Sequence, residues 1–169
     1  MAQTEALNIK PSETSIDTGM EKQDLPELSS LLSEALANTY ILYLKTQNFH
    51  WNVVGPMFYG IHKMTEEQYQ DMAAAVDELA ERIRALGQLA PGSFSAFKKL
   101  SSIEEETGSP TTEEFIANLV EGNEICSRIL RKGALAADEL QDVKTADLLV
   151  ERIGAHEENA WMLRSLLAK

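Results

Sequence analysis

The chain has 169 residues, 44% hydrophobic and 25% charged, which suits one domain with a sizeable core. A formal net charge of -12 works against DNA phosphates and in favour of cations, unless a local basic patch overrides the total. Mean hydropathy is -0.23, no apolar run approaches the roughly 18 residues of a membrane span, and the lone Cys126 excludes an intrachain disulfide.

Residues 1–23 are polar, with Pro11, Gly19 and several Ser and Thr, and read as a mobile tail. This stretch has no apolar core of signal-peptide length, so a cytoplasmic setting is expected. The bundle domain is expected over 24–169. Asp24 opens the first helix, with Pro26 in its first turn and Glu27 completing a capping box. Leu28, Leu31, Leu32, Ala35 and Leu36 recur at helical spacing, and apolar residues crowd the whole circumference from Tyr40 to Leu44. The helix runs to about Val54 and stops at Gly55-Pro56.

A second helix is expected from about Phe58 to Leu86, capped by Gly87. A long connection over 88–110 follows, with a short helical turn near Phe94–Leu100. Thr111 and Glu114 make a capping box for a third helix ending near Leu140. After a brief break a fourth helix runs to about Leu167, with Leu149, Ile153, Ala160 and Leu163 on its apolar face. Cys126 lies on the apolar face of the third helix, which suits a buried, inert thiol. Two short links and one long crossover define an all-α, ferritin-like four-helix bundle whose crossover carries a short extra helix.

His50 and His62 lie twelve positions apart on either side of the first hairpin, where both can face one spot. On the second helix, His62, Glu66, Asp77 and Glu81 fall at roughly 0, 40, 60 and 100° around the axis, on one stripe. Along the axis Glu66 and Asp77 are about 16 Å apart, whereas metal–ligand bonds span roughly 2.0–2.6 Å. One chain therefore cannot close these groups on one ion; an antiparallel second copy across a two-fold axis can, giving two equal sites. Imidazole with carboxylate suits Fe(II), Mn(II) or Zn(II). Single-chain di-iron bundles use Glu-x-x-His, and the residues three before His50, His62 and His156 are Gln47, Tyr59 and Ile153. The competing reading of the stripe is a solvated acidic face, since Glu67, Asp71 and Glu78 surround it. His156 reads as a core histidine bonded to a polar neighbour, and Trp51 and Trp161 as packing groups.

The segment NFHWNVVGPMFYGIHKMTEE, then DELAERI, then ENAWMLRSLL resembles the Dps family of mini-ferritins, over roughly residues 25–168. The resemblance implies a twelve-subunit shell of 2-3 symmetry with ferroxidase centres at two-fold interfaces. His50, His62 and Glu66 would come from one subunit, and Asp77 and Glu81 from its mate. Position 66 is often aspartate in the family, so Glu66 reaches further. Trp51 matches an aromatic beside the centre that can absorb an oxidising equivalent. The implied activity is oxidation of Fe(II) by hydrogen peroxide, with ferric mineral stored inside and zinc or manganese as substitute metals. Asp142 and Asp147 fall where the family has acidic three-fold pores. DNA binding is expected to be weak or absent: through Asp24 the tail sets Lys10 and Lys22 against five acidic residues. The alternatives are a nucleoid-associated, DNA-protecting module with incidental metal, and a non-catalytic bundle of one or two subunits.

Overall fold

The computed structural model describes residues 17–168, and these form five helices. They are α1 (Leu25–Asn52), α2 (Phe58–Ala85), α3 (Phe94–Leu100), α4 (Thr112–Glu139) and α5 (Val143–Ser165). The expectation for the tail lies largely outside the described residues. Within them, Asp17 accepts a hydrogen bond from the Gly19 amide, and Met20 packs on the core.

The helix ends follow local chemistry, with one correction. Thr111 and Glu114 form the expected capping box on α4. Gly87, at φ +79°, takes the left-handed position after α2; the amides of Gly87 and Gln88 reach back to the carbonyls of Arg84 and Ile83. The same motif ends α4, but Gln141 (φ +58°) occupies the left-handed position. Asp24 does not form the expected box: its backbone is already helical and its side chain caps nothing. Its amide instead closes a turn on the Glu21 carbonyl, which carries the chain into α1 without a side-chain cap.

Helices α1 and α2 form one antiparallel hairpin, α4 and α5 the other, and α3 lies on α1 within the crossover. Leu28, Leu32, Leu36, Leu42 and Phe49 from α1 fill the centre, with Ile61, Met72, Leu79 and Ile83 from α2 and Ile116, Leu119 and Leu130 from α4. Phe49 stacks on Phe115 at 4.6 Å. Fully burying each such side chain contributes roughly 1.5–3 kcal/mol. Gly122 lets α1 and α4 approach closely, since a Cβ there would sit 2.6 Å from Leu42 Cδ1.

Two ion pairs tie α2 to α5. Arg82 grips both oxygens of Asp142 at 2.7 Å, and Arg152 grips both oxygens of Asp71 at 3.0 and 2.5 Å. No helix among the described residues is long and apolar enough to cross a membrane.

Candidate metal centre

The first hairpin sets the site. Helix α1 ends as Val53 turns extended and Gly55 adopts φ +109°, which folds α2 back against α1. That turn brings His50 and His62 face to face, with rings stacked at 3.8 Å and 17°. Their backbones and rings are cross-bonded. His50 Nδ1 lies 2.8 Å from the His62 carbonyl, and His62 Nδ1 lies 2.9 Å from the His50 carbonyl. A carbonyl only accepts, so each Nδ1 must carry the hydrogen. With Nδ1 engaged in this way, Nε2 is the nitrogen left for a metal, the arrangement in which a backbone carbonyl orients a ligating imidazole. His50 is buried and His62 half-buried. Phe58 stacks on His62 at 5.1 Å, and Tyr69 meets His50 edge-on at 5.1 Å.

Glu66 lies one turn beyond His62 and is half-buried. A hydrogen bond from Lys63 Nζ, at 2.7 Å, holds its carboxyl below the usual range; burial opposes this, and the nearby His50 and His62 rings reinforce it. His62 and Glu66 thus lie one turn apart at the start of α2, with His50 across the hairpin at the end of α1.

Asp77 and Glu81 sit further along α2, both exposed, and among the described residues neither has a hydrogen-bond or ion-pair partner. Nor does any group of three or more His, Cys, Asp or Glu side chains converge to hold a metal, among the described residues. The imidazole end and the distal acids are not brought together within this chain.

Two expectations need correction. Asp142 is not a free pore carboxylate. It is 5% exposed, caps α5 through the Thr145 amide, accepts the Thr145 hydroxyl at 2.5 Å and is gripped by Arg82. Burial raises its pKa, but the Arg82 and Thr145 hydrogen bonds outweigh this and hold the carboxyl below the usual range. Asp147 stays exposed, with Lys144 3.7 Å away. Trp51 and Trp161 are 62% and 65% exposed, so neither is a packing group within the subunit. Among the described residues, Phe58 and Tyr69 are the rings that meet the two imidazoles from outside the pair. Sequence reasoning passed over Tyr69, although it stands seven residues after His62 and three after Glu66, on the same stripe.

The remaining assignments agree with the structure. His156 is fully buried, its Nδ1 2.9 Å from Asn123 Oδ1, and burial holds its pKa down to about 3. Burial likewise pushes the Cys126 thiol up to about 12, so it stays protonated.

The comparisons with known proteins fit this geometry. Residues 29–169 match the model of the ferritin-like domain, so the chain is a ferritin-like protein. DNA protection during starvation protein 2 of Bacillus anthracis is 34% identical, over 83% of this chain and 97% of that protein. A low temperature-induced protein of Nostoc sp. is 39% identical, over 90% of this chain and 86% of that one. The crystal structure of a Dps protein from Vibrio cholerae, titled a member of a broad superfamily of ferritin-like diiron-carboxylate proteins, superposes with a TM-score of 0.85. It is 31% identical and covers 92% of this chain and 98% of its own. The chain belongs to the Dps family.

Proposed function

We propose that this chain is the subunit of a cytoplasmic iron-oxidising and iron-storing shell, a dodecamer of 2-3 symmetry, that consumes hydrogen peroxide. The observation that carries this reading is the His50–His62 pair. Two imidazoles are each oriented through Nδ1 by the other's carbonyl, which leaves Nε2 of each as the nitrogen a metal would use. Such an arrangement costs conformational freedom and has no packing purpose that a pair of apolar residues would not serve better. His50, His62 and Glu66 bind Fe(II) as substrate at one subunit's hairpin, and Asp77 and Glu81 of the two-fold mate close the centre. Exposed Trp51, Val54, Met57, Phe58 and Tyr59 cluster around that hairpin and supply an apolar surface for the mate to cover.

The chemistry follows from the donors. Carboxylates favour the harder Fe(III), so oxidation is driven at the site. Two Fe(II) give two electrons to one peroxide; the O–O bond breaks, two protons are taken up and two waters leave. No hydroxyl radical is released. Zinc and manganese compete for the same donors. Iron enters past exposed acids near the start of α5, of which Asp147 is one.

The test is anaerobic loading of the assembled protein with Fe(II), then peroxide, with ferric absorbance followed in the near ultraviolet. Wild type oxidises iron rapidly, and His50→Ala with Asp77→Ala slows the phase at least ~100-fold. An unchanged rate in that double variant removes the assigned centre.

The DNA-protecting alternative is weaker on electrostatic grounds, because the tail is net acidic and phosphate neutralisation needs clustered Lys and Arg. Plasmid DNA migrates unretarded with the shell in low salt at neutral pH; retention at submicromolar shell contradicts this.

A further inference from the structure

Among the expected iron donors, Glu66 stands apart. His50 and His62 are bonded through Nδ1 to carbonyls, and Asp77 and Glu81 have no hydrogen-bond or ion-pair partner among the described residues. Glu66, in contrast, is already held by a cation: its Oε2 accepts from Lys63 Nζ at 2.7 Å. Lys63 directly follows His62 and stands three residues before Glu66, so the three share the start of α2. The Lys63 side chain is 51% exposed and that of Glu66 30%. The ammonium has solvent to withdraw into, while the carboxylate stays against the hairpin.

An exposed pair at this spacing ordinarily adds only slight helix stability. Here one partner is a candidate ligand for a dication. A carboxylate oxygen engaged by an ammonium is a poorer donor to a metal, and the ammonium repels the incoming charge. From the Lys63–Glu66 bond beside the imidazole pair we infer that Lys63 is a tethered counter-ion that trades places with iron at Glu66. It closes on the carboxylate when the centre is empty and swings out to solvent when iron arrives. The inference rests on the iron reading above and deepens it, since it concerns how the centre lets iron go. Lys63 touches a ligand rather than the reacting atoms, so it is a positioning residue.

The exchange answers a difficulty in the chemistry. Carboxylates hold Fe(III) more tightly than Fe(II), so a centre that favours oxidation also retains its product. A storing shell needs that product to leave. Departure of Fe(III) strands a half-buried negative charge at Glu66, and the returning Lys63 ammonium satisfies it, which offsets part of the cost of release. The same exchange weakens Fe(II) binding. Lys63 therefore lowers affinity and speeds turnover, which separates its effect from that of a residue that only strengthens the helix. No electron moves in this step; one metal–carboxylate bond breaks and one ammonium–carboxylate hydrogen bond forms.

The experiment uses the assembled protein and Zn(II), which takes the same donors and undergoes no oxidation. Calorimetric titration without peroxide reads the affinity. Lys63→Gln tightens Zn(II) binding about three- to tenfold. Lys63→Arg, which keeps a cation within reach of Glu66, binds as wild type does. In a Glu66→Ala background the gain from Lys63→Gln disappears, because Lys63 acts through that carboxylate. With Fe(II) and peroxide, Lys63→Gln keeps the rate of the first turnover and lowers both KM and kcat over later ones. Far-ultraviolet circular dichroism and oligomer mass show that the variants fold and assemble. Equal or weaker Zn(II) binding in Lys63→Gln overturns the exchange, and so does a gain that persists in the Glu66→Ala background. Loss of Zn(II) binding in His50→Ala/His62→Ala leaves the iron reading standing in either case. Undiminished Zn(II) binding in that histidine variant overturns both.

Discussion

Two sets of ionisable groups along α1, α2 and α5 are treated in opposite ways. One set is closed within the chain. Arg82 is spent on Asp142 and Thr145, Arg152 on Asp71, and His156 faces Asn123 inside the core. The other set is left open. His50 and His62 have their Nδ1 atoms satisfied and their Nε2 atoms free, and Asp77 and Glu81 stand on the surface without partners among the described residues. What separates the histidines is burial: His156 Nε2 is sealed in the core with no hydrogen-bond partner among the described residues, whereas the His62 ring is half-buried. His156 and His62 both sit on α-helices with a bonded Nδ1, yet only His62 lies at the surface.

The sharpest way to break this contrast is to open a closed pair. Arg82→Met strands a buried carboxylate at Asp142 and costs about 3–5 kcal/mol at neutral pH, measured by chemical denaturation. Asp142 is held below the usual carboxylate range, so the pair's contribution is present above pH about 4 and fades as pH falls further. A loss under about 1 kcal/mol would place the pair with ordinary surface bridges.

At neutral pH His156 gives a smaller effect, which grows as pH falls. Its pKa falls from 6.5 to about 3 on folding, so below pH 6.5 the unfolded chain takes a proton that the folded chain refuses. Wild-type stability then falls relative to His156→Gln by up to about 1.4 kcal/mol per pH unit as pH drops from about 6.5 towards 3. Parallel stability curves for the two proteins would show that the histidine is not sealed.

Much of this was legible in the sequence because it depends on local signals. The breaks at Gly55-Pro56 and Gly87, the Thr111–Glu114 box and the short helix Phe94–Leu100 all rest on residues within a few positions of one another. The hairpin made the His50–His62 approach readable too. What could not be read depends on partners far along the chain. Asp142 looks like a free acid at a helix start until Arg82, sixty residues earlier, is folded against it. Gln141 carries no glycine-like signal for its left-handed backbone. The Tyr69–His50 contact crosses between helices, and the reciprocal carbonyl bonds exist only once the turn has set its angle. Trp51 and Trp161 look like core residues by type, yet both are exposed on this chain.

The shared centre is tested most directly by mixing two dead subunits. His50→Ala/His62→Ala lacks the imidazole half, and Asp77→Ala/Glu81→Ala lacks the acidic half. Each alone assembles and fails to oxidise iron. Co-assembled in equal amounts, half of the two-fold pairs are mixed, and each mixed pair regains one complete site, so about a quarter of wild-type ferroxidase activity returns. No recovery in verified mixed assemblies, or full activity in either variant alone, would contradict a centre shared across the two-fold axis.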